Sequence, residues 1–322
     1  MIKKTREIPL IILKLQALLR RLPPSHPKRP LIQEDLAKYL AGFKGEQAVD
    51  YYLSFLPQDN YQIFHGLRLQ LGTHFFQMDI LFLSPKFILI CEVKNIAGTI
   101  LFDSQFNQLI RSINEIEEGF QDPILQVKRQ QLQLKEWLNT NQVPTIPIET
   151  LVVFSNPQTI IKTLNTNSSQ VPKKVIHSTF FPFKIEEYEK IYKTSLLTNK
   201  ELKKLTSLLL KRHTPYFPNL HSQYDIQMSE ILKGVECTNC FSIPMTRKNG
   251  IWHCPYCCST SKTAHNSALI DYSLLISPTI TNKECREFLN LPSRNSTFHL
   301  LQSMNFSHDG TTKGRKYFLP TT

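Results

Sequence analysis

Apolar residues in this chain fall into runs whose periods separate strands from helices. The clearest pair lies in residues 75–95, FFQMDILFLSPKFILICEVKN, where two apolar runs flank Ser84-Pro85-Lys86-Phe87. Runs this short, rich in Phe, Ile, Leu and Val and split by a Pro-containing turn, predict two buried strands of a hairpin. Residues 61–71, YQIFHGLRLQL, alternate as a strand, and IETLVVFS at 148–155 reads as a buried one. Helical spacing predicts a helix from near Gln33 to Leu56, broken near Gly42, whose second half places Val49, Leu53 and Leu56 on one face. Asp122 as N-cap and Pro123 in the first turn start another helix, which runs to near Leu138. Residues 96–102 read as a short strand, 103–121 as polar and mixed, 157–175 as a loop, 185–212 as helical and 213–224 as a Pro-containing linker. The order helix, strand, strand, strand, helix, strand predicts an α/β fold, a mixed sheet with helices on both faces.

Charges interrupt the central hairpin. Asp79 lies in its first strand, Glu92 and Lys94 in its second. Charges inside buried strands are costly unless paired or bound to a metal. With a loop of even length, Ser84 opposes Phe87, Asp79 opposes Glu92 and Gln77 opposes Lys94. Opposed residues share a face, as do residues two apart on one strand. Gln77, Asp79, Glu92 and Lys94 are then expected as one polar square, with Met78, Ile80, Cys91 and Val93 turned into core. Two carboxylates so placed suit a hard cation such as Mg²⁺. The bland alternative is a buried acid–lysine pair that only fixes strand register.

Composition adds a partner class. The 322 residues carry a net charge of +12, with eight Lys or Arg against the single acid Glu7 in residues 1–30. Such a balance favours a polyanion, though a basic arm can also be merely solvated. The opening MIKKTREIPLIILKLQALLRRLPP superficially resembles a signal peptide. Lys14 interrupts its apolar part and no small-residue cleavage site follows, so an amphipathic helix ending at Arg21 is expected instead. No apolar run is long enough to predict a membrane span. Four of the seven cysteines lie in metal-type pairs, which predicts a reducing, cytoplasmic setting rather than disulfides.

Those pairs are Cys237-x2-Cys240 and Cys254-x2-Cys257, with thirteen residues, 241–253, between them. Two such knuckles predict a four-cysteine structural Zn²⁺ site of ribbon type. Cys258 is a spare that could replace Cys257, and His253 is a weaker competitor. Beyond them, Thr281 or Asn282 caps a helix through Leu289, Ser293 caps a second to near Met304, and Asp309-Gly310 to Lys316 form a basic hairpin tip. Two helices and a basic hairpin resemble a winged helix-turn-helix. Arg294, Asn295, Ser296 and His299 would then meet bases or phosphates, and Lys313, Arg315 and Lys316 phosphates. Winged helices also serve as protein-interaction modules.

The element order and the Asp79…Glu92-Val93-Lys94 pattern resemble the PD-(D/E)xK, restriction-endonuclease-like nucleases. Gly45-Glu46, Phe76-Gln77-Met78-Asp79, Glu92-Val93-Lys94-Asn95, Asn107-Gln108-Leu109-Ile110-Arg111 and Asp122-Pro123…Gln126 are, more narrowly, similar to the nuclease-related domain (NERD) family, and Arg20-Arg21-Leu22-Pro23 looks like the lead-in of bacillus-type members. The resemblance implies Asp79 and Glu92 as Mg²⁺ ligands, Lys94 orienting or activating the attacking water, Glu46 adding or orienting a ligand and Gln126 contacting the site. Met78 departs from the proline that precedes the acid in the general signature. The expected organisation is a basic arm at 1–34, a NERD-like nuclease domain at 35–157, a helical linker at 158–234, a zinc ribbon at 235–265 and a winged-helix-like unit at 266–322. The expected function is Mg²⁺-dependent phosphodiester hydrolysis of nucleic acid, DNA first, with Gln77 among the nucleic-acid contacts. The alternative is an inactive nuclease fold that binds DNA or acts as a scaffold.

Overall fold

The computed structural model describes residues 1–57, 60–164, 170–311 and 314–321, with the backbone alone at 170 and 172. In chain order it contains β1 (Ile2–Lys4), α1 (Leu10–Arg21), α2 (Arg29–Leu53), β2 (Gln62–Leu71), β3 (His74–Leu83), β4 (Ile88–Lys94), β5 (Thr99–Asp103), β6 (Gln108–Ile113), β7 (Ile116–Gln121), α3 (Pro123–Thr140), β8 (Ile148–Phe154), β9 (Ile160–Thr163), α4 (Gln170–Lys174), β10 (Val175–His177), α5 (Phe181–Ile191), α6 (Asn199–Arg212), α7 (Leu220–Tyr224), β11 (Thr246–Lys248), β12 (Ile251–His253), β13 (Thr260–Ser261), α8 (His265–Leu275), β14 (Thr279–Thr281), α9 (Asn282–Leu289), α10 (Arg294–Ser303), β15 (His308–Asp309) and β16 (Lys316–Phe318). They fall into two units, residues 1–8 with 39–216, and residues 9–38 with 217–322. Among the described residues no helix is long and apolar enough to cross a membrane.

The first unit is built on a six-stranded mixed sheet in the order β1-β2-β3-β4-β8-β10. β2, β3 and β4 are antiparallel neighbours, whereas β4, β8 and β10 run parallel. The central strands β4 and β8 are buried on both faces, as their unbroken apolar runs require. On one face, Val49 and Leu53 of α2 and Phe181, Ile185 and Tyr188 of α5 pack on Ile80, Phe82, Leu89, Cys91 and Val93. On the other, Leu134, Trp137 and Leu138 of α3 and Leu205 and Leu209 of α6 pack on Phe64, Leu81, Leu83, Ile88 and Ile90. Each such buried side chain contributes roughly 1.5–3 kcal/mol. This is the expected α/β architecture with helices on both faces.

Local expectations differ in several places. Helix α2 runs unbroken through Gly42. The region expected as polar and mixed forms a second sheet, β7-β6-β5-β9. Its β6–β7 turn is Asn114-Glu115, both with positive φ, a two-residue hairpin turn of the kind that usually advertises itself as Asn-Gly. The single helix expected over 185–212 is two, α5 and α6, and α6 opens on a capping box between Thr198 and Glu201. The 157–175 stretch, expected as a loop, holds β9 and α4, and a strand that no local pattern predicts, β1, pairs with β2.

Four basic residues of the second unit's first helical segment, Lys14, Arg20, Arg21 and Arg29, are engaged within the unit. Arg21 is fully buried, donating to Asp271 Oδ2 at 2.8 Å and to the Gly234 carbonyl at 2.6 Å, while Arg20 takes Asp271 Oδ1 at 2.6 Å. Lys14 reaches the Pro218 carbonyl at 2.6 Å, and Arg29 closes the end of α1 through the Leu22 carbonyl at 2.9 Å. The arm is therefore not a free polycation; buried charges have found partners, as burial demands. Two small sheets follow, β11-β12-β13 around the cysteines and β14-β16-β15 at the end. The run α8, β14, α9, α10, β15, β16 is the winged-helix order, with capping boxes or caps at Thr281 and Ser293 as expected.

Candidate active site

The β3–β4 turn fixes the register. Ser84 N–H donates to the Phe87 carbonyl at 3.1 Å, and Ser84 Oγ accepts from the backbone of Lys86 and Phe87. The loop is thus even. The ladder runs from Leu83↔Ile88 to Ile80↔Cys91, so Asp79 and Glu92 come next in register. Beyond that point β3 leaves the ladder. Asp79 Oδ2 instead accepts the Val93 N–H at 2.9 Å.

Gly66 lies opposite Asp79, bracketed by His65↔Ile80 and Leu67↔Met78, and has φ +57°. A positive φ costs glycine little. Here it inverts the pleat: Phe64 and Leu67 share one core although their positions differ in parity, and so do Leu81 and Met78. Met78 therefore packs with Leu134 and Trp137, not with Ile80, Cys91 and Val93 as expected. The same inversion breaks the polar square. Gln77 is exposed and lies on the face opposite Phe76 and Met78, away from Asp79.

What replaces Gln77 comes from α3. Asp122 caps this helix by accepting the Ile124 N–H at 2.7 Å, and Gln126 and Gln130 follow one turn apart on the same side. Lys94 Nζ donates to Glu92 Oε1 at 2.7 Å and to Gln126 Oε1 at 3.1 Å. Gln130 Nε2 donates to Glu92 Oε2 at 3.0 Å and to the Gln77 carbonyl at 2.9 Å. Gln130 Oε1 is buried and has no hydrogen-bond partner among the described residues. Sequence reasoning missed Gln130; its spacing of four from Gln126 was the available signal.

Glu46 enters from α2. Gly45 lets that helix close on the end of β4, since a Cβ there would lie 2.4 Å from Asn95 Cβ and 2.8 Å from Ser155 Oγ. Glu46 is paired with Arg6, which also donates to Asp50 Oδ1 at 2.8 Å and lies 2.8 Å from His65 Nδ1. Burial and then the neighbouring Glu92 and Glu46 charges hold the Asp79 carboxyl well above its usual range. Burial, opposed by Arg6 and reinforced by Glu92 and Asp50, pushes Glu46 to about 7. Burial and the Arg6 charge bring His65 down to about 4. The Glu92 charge thus raises the proton affinity of both Asp79 and Glu46, as like charges gathered in one partly buried place do.

The cysteine centre is tighter. Cys237, Cys240, Cys254 and Cys257 bring their Sγ atoms within 4.8 Å of one another, the one such group of His, Cys, Asp or Glu among the described residues. The acids do not close to that distance. Sγ–Sγ separations are 3.6 Å for Cys237–Cys257 and 3.5 Å for Cys240–Cys254, against about 3.8 Å for a tetrahedron of Zn–S bonds. Hydrogen bonds from the Ser259 side chain and backbone and from Asn239 pull the Cys257 thiol down to about 5, toward the thiolate a metal takes. Cys258 is exposed and His253 lies outside the group.

In the terminal unit Arg294, Asn295 and His299 are exposed on α10, as is Lys316 on β16. Arg315 folds back onto the Gly310 carbonyl at 3.2 Å. Lys313 lies outside the described residues. No curated protein and no solved structure matches this chain. Residues 41–155, which carry Glu46, Asp79, Glu92, Lys94, Gln126 and Gln130, match the family model NERD, the nuclease-related domain.

Proposed function

We propose that the protein is a Mg²⁺-dependent nuclease that hydrolyses phosphodiester bonds, with DNA as its first substrate. The observation that carries this is geometric: Asp79 and Glu92 come next in register on β3 and β4, Lys94 Nζ lies 2.7 Å from Glu92 Oε1, and the Glu92 and Glu46 charges both act on Asp79, inside the segment that matches a nuclease-related domain. The donor set fits the ion: carboxylate oxygens of Asp79 and Glu92, with Glu46 as an outer carboxylate, suit a hard cation. When bound, Mg²⁺ supplies charge stabilisation to the phosphoryl oxygens and acidifies water. Lys94, held between Glu92 and Gln126, orients the attacking water and offsets phosphate charge. Gln130 keeps Glu92 in one rotamer. Arg6 keeps Glu46 from adding a full negative charge to the locus.

The accessory assignments follow the same chemistry. Cys237, Cys240, Cys254 and Cys257 hold Zn²⁺ in a structural site, since four protein ligands leave no open position. Residues 266–322 help hold DNA through Arg294, Asn295, His299, Lys313, Arg315 and Lys316, and Gln77 contributes from β3. Thiols kept available for zinc fit a reducing cytoplasm.

A second reading is a nuclease fold that binds DNA without cutting. The engagement of Glu46 by Arg6 favours it, because that carboxylate is already neutralised. Incubation with single- and double-stranded DNA, in Mg²⁺ or in EDTA, separates the two. Cutting that needs Mg²⁺ and is abolished by Asp79→Ala supports the nuclease. DNA binding with no metal-dependent cutting leaves the second reading.

A further inference from the structure

The outer half of the β2–β3 hairpin presents an open face. Arg68 pairs with Gln77 and Gln70 with Phe75, so these four side chains share one surface, opposite the buried Leu67, Leu69, Phe76 and Met78. Phe75 is 39 % exposed and Tyr216 is 52 % exposed. The Arg68 guanidinium stands 3.9 Å from the Phe75 ring centre and 5.4 Å from that of Tyr216, and is anchored to the Thr214 carbonyl at 3.1 Å. Two exposed aromatic rings are thus braced by one cation.

At the tip of the same hairpin, toward the face that α3 and α6 cover, lies a cleft of about 410 Å³, lined among others by Gln70, Trp137, Asn141, Lys211, Arg212 and Thr214. It has two cations and no carboxylate. Cations at the end of α6 have an ordinary explanation in the helix dipole. That explanation does not account for uncharged donors gathered around them, or for the exposed rings linked to the cleft through two of its lining residues, Gln70, which pairs with Phe75, and Thr214, whose carbonyl holds Arg68. Rings plus cations are what an unpaired nucleic-acid strand needs: every base has a π-face to stack, and every phosphate a charge to neutralise. A duplex, with its bases already stacked, has no use for the rings.

We propose that this face and cleft form a single-strand track, with bases stacked on Phe75 and Tyr216 and phosphates held by Lys211 and Arg212. The proposal deepens the nuclease reading and rests on it only for purpose, because binding can be measured without cleavage. The measurement is fluorescence anisotropy of a labelled oligothymidylate, an abasic oligomer and a duplex of equal length, on full-length protein carrying Asp79→Asn. In that background Phe75→Ala with Tyr216→Ala should weaken oligothymidylate binding about tenfold or more and leave duplex and abasic binding unchanged. Phe75→Tyr with Tyr216→Phe, which keep both rings, should bind like the parent. Lys211→Ala with Arg212→Ala should lower the slope of log affinity against log salt by about 1.4. Equal oligothymidylate binding by the alanine pair and its parent overturns the proposal, as does an equal loss for the abasic oligomer or the duplex. Absence of Mg²⁺-dependent cutting by the wild type would sink the nuclease reading alone.

Discussion

Gln130 donates one amide nitrogen to both Glu92 Oε2 and the Gln77 carbonyl, at 3.0 and 2.9 Å. It thereby ties the side chain of one acid on β4 to the backbone of the strand that carries the other. Removing it should free the Glu92 rotamer while leaving every proposed ligand in place. Gln130→Leu should lower Mg²⁺-dependent cleavage or metal affinity about 10- to 100-fold, the usual cost of losing a ligand's support. Gln130→Glu, which brings a further negative charge beside Glu92, should not rescue it. Metal titration alongside single-turnover cleavage distinguishes a positioning role from a merely structural one; wild-type metal affinity and cleavage rate in Gln130→Leu would remove Gln130 from the site.

Two glycines three residues apart in α2 make opposite predictions. A Cβ at Gly42 meets nothing within 4 Å, whereas one at Gly45 meets Asn95 and Ser155 below 3.0 Å. Gly42→Ala should stabilise the protein by about 0.5–1 kcal/mol, the helix-propensity gain alone. Gly45→Ala should destabilise by about 1–3 kcal/mol, because overpacking outweighs the same gain. Urea midpoints of the two variants decide it, and equal shifts would show that α2 does not close on Asn95 as described.

Those glycines also show what was legible from residue order. Helix, strand and turn types were readable where a period is local: the apolar runs of β3, β4 and β8, the Asp122 cap, the cysteine knuckles. Gly42 reads as a break on propensity alone, whereas packing along α2 carries the helix through it. The pleat inversion at Gly66 and Asp79 moved Met78 and Gln77 to faces a strict period of two denies them. The second sheet hid behind an Asn114-Glu115 turn, and its strands are only half buried. Arg6 sits 40 residues from the Glu46 it neutralises, outside the matched segment 41–155. No local pattern could have joined them.

Acid stability follows from the same cluster. Asp79 and Glu46 bind protons more tightly when folded than when unfolded, Glu46 to about 7 from an ordinary 4.5. Between those values the folded state holds more protons, so their contribution to stability is present in acid and is lost as pH rises through 7. His65, brought down to about 4, works in the opposite sense, so total stability is a poor readout. The difference between Mg²⁺ and EDTA at each pH is cleaner, because a cation competes with protons for the acids and not for His65. The Mg²⁺-induced rise in Tm should be several degrees at pH 8 and should fade by pH 5. A rise independent of pH, or one that survives Asp79→Asn with Glu92→Gln, would place the ion elsewhere.

At the cysteine centre, one thiol is the discriminating one. Cys258 follows Cys257 directly, yet it is exposed with a left-handed φ of +60° and lies outside the four-sulfur group. If the sulfur geometry is the zinc geometry, Cys258→Ser should retain one equivalent of zinc, while Cys257→Ser and Cys254→Ser should lose it. Structural zinc contributes roughly 10–16 kcal/mol, comparable with the whole stability of a domain at about 5–15 kcal/mol. Three short strands of two or three residues, β11 to β13, bury too little to fold without it. Loss of metal should therefore collapse hydrogen-exchange protection at Trp252 and His253 while β3 and β4 in the other unit stay protected. Zinc analysis with hydrogen exchange on the three variants checks both halves. Retention of a full equivalent in Cys254→Ser, or its loss in Cys258→Ser, would contradict the assigned ligand set.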